Sequence, residues 1–144
     1  QLNNQKTLRE TIQLNGIGLH SGNKVNLVIK PAPENFGIKF SRIDVNKNDY
    51  ISASFKNVVD PVLCTKLKNK NGVSVSTVEH LMAAFFGEGI DNALVEVNSS
   101  EIPILDGSAS EFVEAIRSAG IVDQEASRKF IKVLDLTYKI TYIS

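Results

Sequence analysis

Hydrophobic and polar positions follow a period of two through the first half of the chain, then switch to a three-to-four spacing. In residues 24–30, Val25, Leu27 and Ile29 share one face, the pattern of a half-buried strand. Residues 7–14 read as its partner, joined through the glycine-rich connection "NGIGLHSGN". The stretch "PAPENFG" breaks the pattern, because Pro31 and Pro33 have no amide to give to a ladder. Residues 38–42 and 51–55 are further strand candidates, and "LCTKLKNKNGVSV" reads as a hairpin turning at residues 69–72. Its alternating Lys66, Lys68 and Lys70 fit a solvated edge that resists strand addition better than they fit a phosphate site.

Two helices follow. The first is expected over 77–86, with Val78, Leu81, Met82 and Phe85 on one apolar stripe and Gly87 as its stop. Phe86 directly follows Phe85, so one sheet cannot bury both and a second packing partner is implied. The second helix is expected over 109–119, burying Phe112, Val113, Ile116 and Ala119 and ending at Gly120. Between them lie a strand at 93–97 and the apolar run 102–105, and strand returns at 130–134. Strands first and helices grouped late predict an α+β two-layer sandwich, an antiparallel or mixed sheet packed against two helices. The end "LDLTYKITYIS" alternates like a strand that no turn closes, and no initiator methionine opens the chain. Both ends read as those of a piece of a longer protein.

Composition narrows the function classes. A chain of 144 residues makes one domain and buries about 68–70% of its extended surface. The formal net charge of zero argues against nucleic acid or an anionic membrane surface, both of which select a basic face. The single cysteine, Cys64, allows no internal disulfide and fits a reducing compartment. No apolar run approaches the ~18 residues of a membrane span, and the polar opening does not read as a signal peptide. The expectation is a soluble cytoplasmic domain.

The candidate chemistry centres on Glu79 and His80. Ser76-x-x-Glu79 has the spacing of a capping box, in which the glutamate reaches back to the N-cap amide, and Ser108-x-x-Glu111 repeats it at the second helix. By spacing alone, then, Glu79 is a cap. His80 differs: the positive end of the helix dipole disfavours imidazolium there and leaves the neutral ring able to ligate a metal. No second histidine lies four residues on, and the only other one, His20, is far away in sequence. "GIGLHSG" lacks the G-K-[ST] of a phosphate loop and reads as a turn. "DGSAS" lacks the G-x-S-x-G of a nucleophile elbow, and Asp106 reads as a brace of that turn. Cys64, between Leu63 and Thr65, reads as a half-buried, inert thiol.

The strings "GIGLHSG", "KPAPENFGIKF", "LCTKL", "STVEHLMAAFFGEGIDNALVEVN" and "EIPILDGSASEFV" occur in this order. Together they resemble the N-terminal domain of the UDP-3-O-acyl-N-acetylglucosamine deacetylases, zinc enzymes of lipid A biosynthesis in Gram-negative bacteria. The resemblance covers roughly residues 5–134. It implies the first of two similar domains, with the active site at their junction. His80 would be a Zn2+ ligand and Glu79 the general base, with Leu63 and Cys64 beside the sugar pocket and His20 near the polar end of the substrate. The reaction implied is hydrolysis of the N-acetyl group of UDP-3-O-acyl-N-acetylglucosamine, releasing acetate, in a cytoplasmic and monomeric full-length enzyme. The family's second domain, with an H-K-x-x-D helix that supplies two further zinc ligands, has no counterpart in 1–144. The whole chain is therefore expected to be the N-terminal half, inactive on its own. The alternatives are a non-catalytic domain that keeps the fold to bind a UDP-sugar or a partner, and an RNA-binding domain, which would need a basic stripe.

Overall fold

The structure is a computed structural model that describes residues 3–54, 58–59 and 65–128. Its centre is a five-stranded mixed sheet of order β2-β3-β9-β4-β5. The strands are β2 (Ile12–Ile17), β3 (Lys24–Pro31), β4 (Ile38–Arg42), β5 (Ile51–Ser52) and β9 (Ala93–Val97). Within this sheet β4 and β9 run parallel and the other neighbours antiparallel. The alternation read from the sequence decides the buried face: Val25, Leu27 and Ile29 of β3 point into the same core as Phe40, Val95 and Val97.

The predicted first strand is in fact two. β1 (Asn4–Leu8) pairs with β10 (Ile121–Ser127), whereas β2 joins the main sheet. The chain breaks at Arg9, Glu10 and Thr11, all exposed, and the Arg9 amide donates to the Gly120 carbonyl at 2.8 Å. Strand β10 escapes a reading by pattern because "IVDQEAS" has little hydrophobic alternation. Side chains hold its ribbon to the domain instead. The buried Asn92 donates to Gln5 at 2.9 Å and Gln124 at 2.7 Å, and accepts from the Gly37 amide at 2.8 Å. The strand expected at 130–134 lies outside the described residues.

A three-stranded sheet, β6-β7-β8, is built from β6 (Val58–Val59), β7 (Lys66–Lys68) and β8 (Ser74–Ser76). The hairpin turns where expected: Asn69 accepts from the Asn71 and Val73 amides, and Gly72 takes φ 85. The lysine strand is not an edge, however. β7 is the central strand of its sheet, so Lys66 and Lys68 line one face of a paired ladder.

Helix α1 (Glu79–Glu88) and helix α2 (Ser110–Ala119) pack against each other, and Arg117 of α2 pairs with Glu88 of α1 at 2.8 Å. The first stripe falls as read, with Val78, Leu81, Met82 and Phe85 in the core; of the second, Phe112 and Ile116 are in the core while Val113 and Ala119 are only partly buried against it. The boundaries of α1 move by two residues. It starts after Thr77 because that residue takes φ 61, and it runs through Gly87 to stop at Gly89. Gly89 has the left-handed φ of 76 that a closing turn requires, and Gly87 does not. Phe85 is 1% exposed and Phe86 50%, as consecutive aromatics on one helix must divide. No helix among the described residues is long and apolar enough to cross a membrane.

Candidate active site

β8 delivers the chain to Glu79 and His80 through one strained residue. Thr77 sits at φ 61, which a β-branched side chain rarely tolerates. Neighbouring bonds hold it there. The Ser76 amide donates to the Ser100 carbonyl at 2.9 Å, the Ile102 amide to the Ser76 carbonyl at 3.0 Å, and the Val78 amide to the Thr65 carbonyl at 3.4 Å. With the backbone pinned on both sides, the left-handed turn starts α1 with Val78 as its N-cap.

This geometry removes the capping box. Ser76 belongs to β8 and donates its hydroxyl to the Ser100 carbonyl at 3.3 Å, and neither helix has a side-chain cap bond at its N-cap residue. Glu79 is the first residue of the helix and not its third, so its carboxylate cannot reach back as a box requires. One oxygen, Oε2, accepts from the Thr65 amide at 3.2 Å. The other, Oε1, is buried with no hydrogen-bond partner among the described residues, and so is the Thr77 hydroxyl. Buried polar atoms without partners are uncommon in folded proteins and point to something further in the site. His80, half-buried, follows on the same first turn.

The "GLHSG" segment forms a tight turn. The Gly18 amide donates to the Asn23 carbonyl at 2.9 Å, the Gly22 amide to Gly18 at 3.0 Å, and Gly22 takes φ 70. Leu19 and His20 are exposed on it. Beneath the turn lies Glu101, 2% exposed. Its carboxylate accepts from the His20 amide at 3.0 Å and the Ser21 amide at 2.9 Å. Burial raises its pKa, but those two amides, the Ser21 hydroxyl and the charge of His20 together bring it below the ordinary carboxylate value. Sequence reading had no role for Glu101. Its one signal was a charged residue opening the apolar run "IPIL", a place where a carboxylate has to find partners.

Asp106 braces its turn as expected. One carboxylate oxygen accepts from the Ser108 amide and hydroxyl at 3.0 and 2.9 Å, the other from the Ser110 hydroxyl at 3.0 Å. The Ser108 hydroxyl leads in lowering its pKa. Leu63 and Cys64 lie outside the described residues. Among the described residues, no three histidine, cysteine, aspartate or glutamate side chains gather as a metal site.

The family model LpxC, UDP-3-O-acyl N-acetylglycosamine deacetylase, matches residues 5–141. The chain belongs to this family. Among curated relatives, the UDP-3-O-acyl-N-acetylglucosamine deacetylase of Shewanella pealeana is 52% identical over 129 residues, 90% of this chain and 42% of that protein. The enzyme of the same name from Xylella fastidiosa strain Temecula1 is 49% identical over 132 residues, 92% of this chain and 43% of the relative. That of Idiomarina loihiensis is 53% identical over 129 residues. The chain therefore spans less than half the length of these deacetylases. Its α+β fold and paired helices agree with the resemblance read from the motifs.

Proposed function

We propose that this chain carries one half of the active site of a zinc-dependent deacetylase that hydrolyses the N-acetyl group of UDP-3-O-acyl-N-acetylglucosamine in lipid A biosynthesis. The observation that carries the reading is the Oε1 of Glu79, buried beside His80 and without a hydrogen-bond partner among the described residues. A carboxylate oxygen left without a donor inside a protein is an acceptor awaiting one, and a water at that place supplies it. The donor set fits a shared metal site: His80 offers an imidazole, and two further ligands come from outside the described residues. Zinc bound there supplies a Lewis acid that lowers the pKa of a water toward about 7.

Glu79 takes the proton of the attacking water at Oε1, while the Thr65 amide on Oε2 keeps the carboxylate aimed. Consecutive helical residues point about 100° apart, so Glu79 is free for the proton while His80 holds the metal. The positive end of the α1 dipole favours the negative charge that develops on the acetamide oxygen. The C–N bond then breaks, the proton taken from the water passes on to the departing nitrogen, acetate leaves, and the amine stays on the UDP-linked sugar. His20 stands on its turn as a contact for the polar end of the substrate, and Leu63 and Cys64 border the sugar. A second domain of the whole protein completes the ligand set and covers Phe86, in a monomeric cytoplasmic enzyme. This agrees with the half-exposed Phe86 and with the fraction of the relatives that the chain spans.

The test uses the whole protein. Glu79→Gln is expected to keep its zinc and lose about 10²–10⁴-fold in acetate release, the usual contribution of a general base. His80→Ala is expected to lose zinc. Near-normal turnover by Glu79→Gln, or unchanged metal content in His80→Ala, overturns the assignment of that residue.

A further inference from the structure

We propose that Glu101 is a positioning residue of this site: its carboxylate clamps the amides of His20 and Ser21 while its backbone is bridged to Ser76, so that one residue sets the turn carrying His20 against the segment leading into Glu79 and His80. The inference rests on the reading of His20 as a substrate contact.

Two observations converge on Glu101. On its main-chain side, Ser76 and Glu101 form an isolated parallel bridge, flanked by the Ser76 amide on Ser100 and the Ile102 amide on Ser76. Ser76 is the last residue of β8, just ahead of Thr77 and the start of α1. On its side-chain side, both carboxylate oxygens are taken by consecutive amides of the turn, at 3.0 and 2.9 Å. The approach is close. A Cβ on Gly18 would stand 2.8 Å from the Glu101 carboxyl carbon and 2.6 Å from the Ser21 hydroxyl, so a side chain there would displace one or both. The Ile104 amide adds a bond to the Ile17 carbonyl at 3.2 Å, holding the end of β2 along the same run.

The turn does not need the carboxylate in order to be a turn. It closes on itself through the Gly18–Asn23 and Gly22–Gly18 bonds, helped by the Ser21 hydroxyl, which accepts from the Asn23 amide at 3.1 Å. What the carboxylate adds is location. A charged group is costly to bury, and a turn exposed at Leu19 and His20 would be stable with water on its amides. A buried carboxylate used there instead fixes where the turn lies, which matters when one of its side chains must meet a substrate.

The test is Glu101→Gln in the whole protein, with UDP-3-O-acyl-N-acetylglucosamine as substrate. The amide keeps the shape but presents an NH2 group to a backbone N–H, so one of the two clamping bonds is lost. The expected result is faster hydrogen exchange at the His20 and Ser21 amides with unchanged protection of the Ser76 and Ile102 amides. Zinc content should be unchanged, and kcat/KM should fall about tenfold, mainly through KM. In a His20→Ala background the same substitution should have little further effect on kcat/KM. Additive losses in that background, or exchange rising equally at all four amides, would mean that Glu101 serves only the fold, and would overturn the proposal. A His20→Ala variant with normal kinetics would overturn the reading of His20 and the positioning role with it. If Glu101→Gln does not fold, Gly18→Ala separates the turn from the carboxylate from the other side. It is expected to give the same exchange pattern and the same KM effect, and normal kinetics in a variant with a displaced turn would refute the idea.

Discussion

Thr77 carries two unfavourable features at once, and their sizes make a prediction. Its φ of 61 costs about 1–2 kcal/mol in a residue with a Cβ. Its hydroxyl, in a residue only 7% exposed, lacks a partner among the described residues, which costs about 1–3 kcal/mol. Thr77→Gly removes both. It gives back about 0.5–1 kcal/mol of backbone entropy and about 0.8 kcal/mol for one buried methyl group. The balance favours the variant by about 2 kcal/mol, which for a protein of this size or larger raises Tm by several degrees at about 2–4 °C per kcal/mol. Thr77→Val separates the two terms, since it keeps the strain and removes only the hydroxyl. It should raise Tm by a comparable amount, since the hydroxyl alone accounts for about 1–3 kcal/mol. Both variants should lose turnover, because the residue that suffers these costs leads directly into Glu79. Calorimetry of the whole protein and an acetate-release assay read the two effects side by side. A lower Tm for Thr77→Gly would show that the turn is not strained. Full activity in Thr77→Val would show that the hydroxyl has no part in the site.

The neighbouring aromatics of α1 should respond unequally: Phe85→Ala is expected to cost about 3–5 kcal/mol from the core, and Phe86→Ala under about 1 kcal/mol in the isolated chain, by urea unfolding. The Glu101 clamp predicts a pH dependence with a definite sign. Its folded pKa is lowered, so its stabilising contribution is present above the ordinary value of 4.5 and is lost as pH falls through the lower folded value. Exchange protection of the His20 and Ser21 amides should accordingly weaken below about pH 4.5, and Glu101→Gln should lack that step. The 144-residue chain alone should hold no tight zinc after dialysis and release no acetate, because His80 is one ligand where about three are usual. One firmly bound zinc per chain with turnover would show this half to be sufficient.

Elements whose burial has a period were legible from the chain. The inward faces of β3 and β9, the stripes of α1 and α2 and the hairpin at Asn69 all follow from local spacing, because a repeating side-chain direction leaves a repeating hydrophobic pattern. Strand β10 was not legible. It is held by pairing with β1 and by Asn92, Gln5 and Gln124, partners distant in sequence that leave no periodic trace. The site divides in the same way. The residues Glu79, His80 and His20 stood out by type and by their motifs, but the roles of the glutamates depend on partners. Spacing made Glu79 a cap, and a left-handed turn at Thr77 moved the helix start and left its carboxylate facing inward. Glu101 had no assigned role in the sequence until the fold set it under a turn some eighty residues earlier in the chain. A charged side chain's role is fixed by what it meets when buried, and only the tertiary structure decides that meeting.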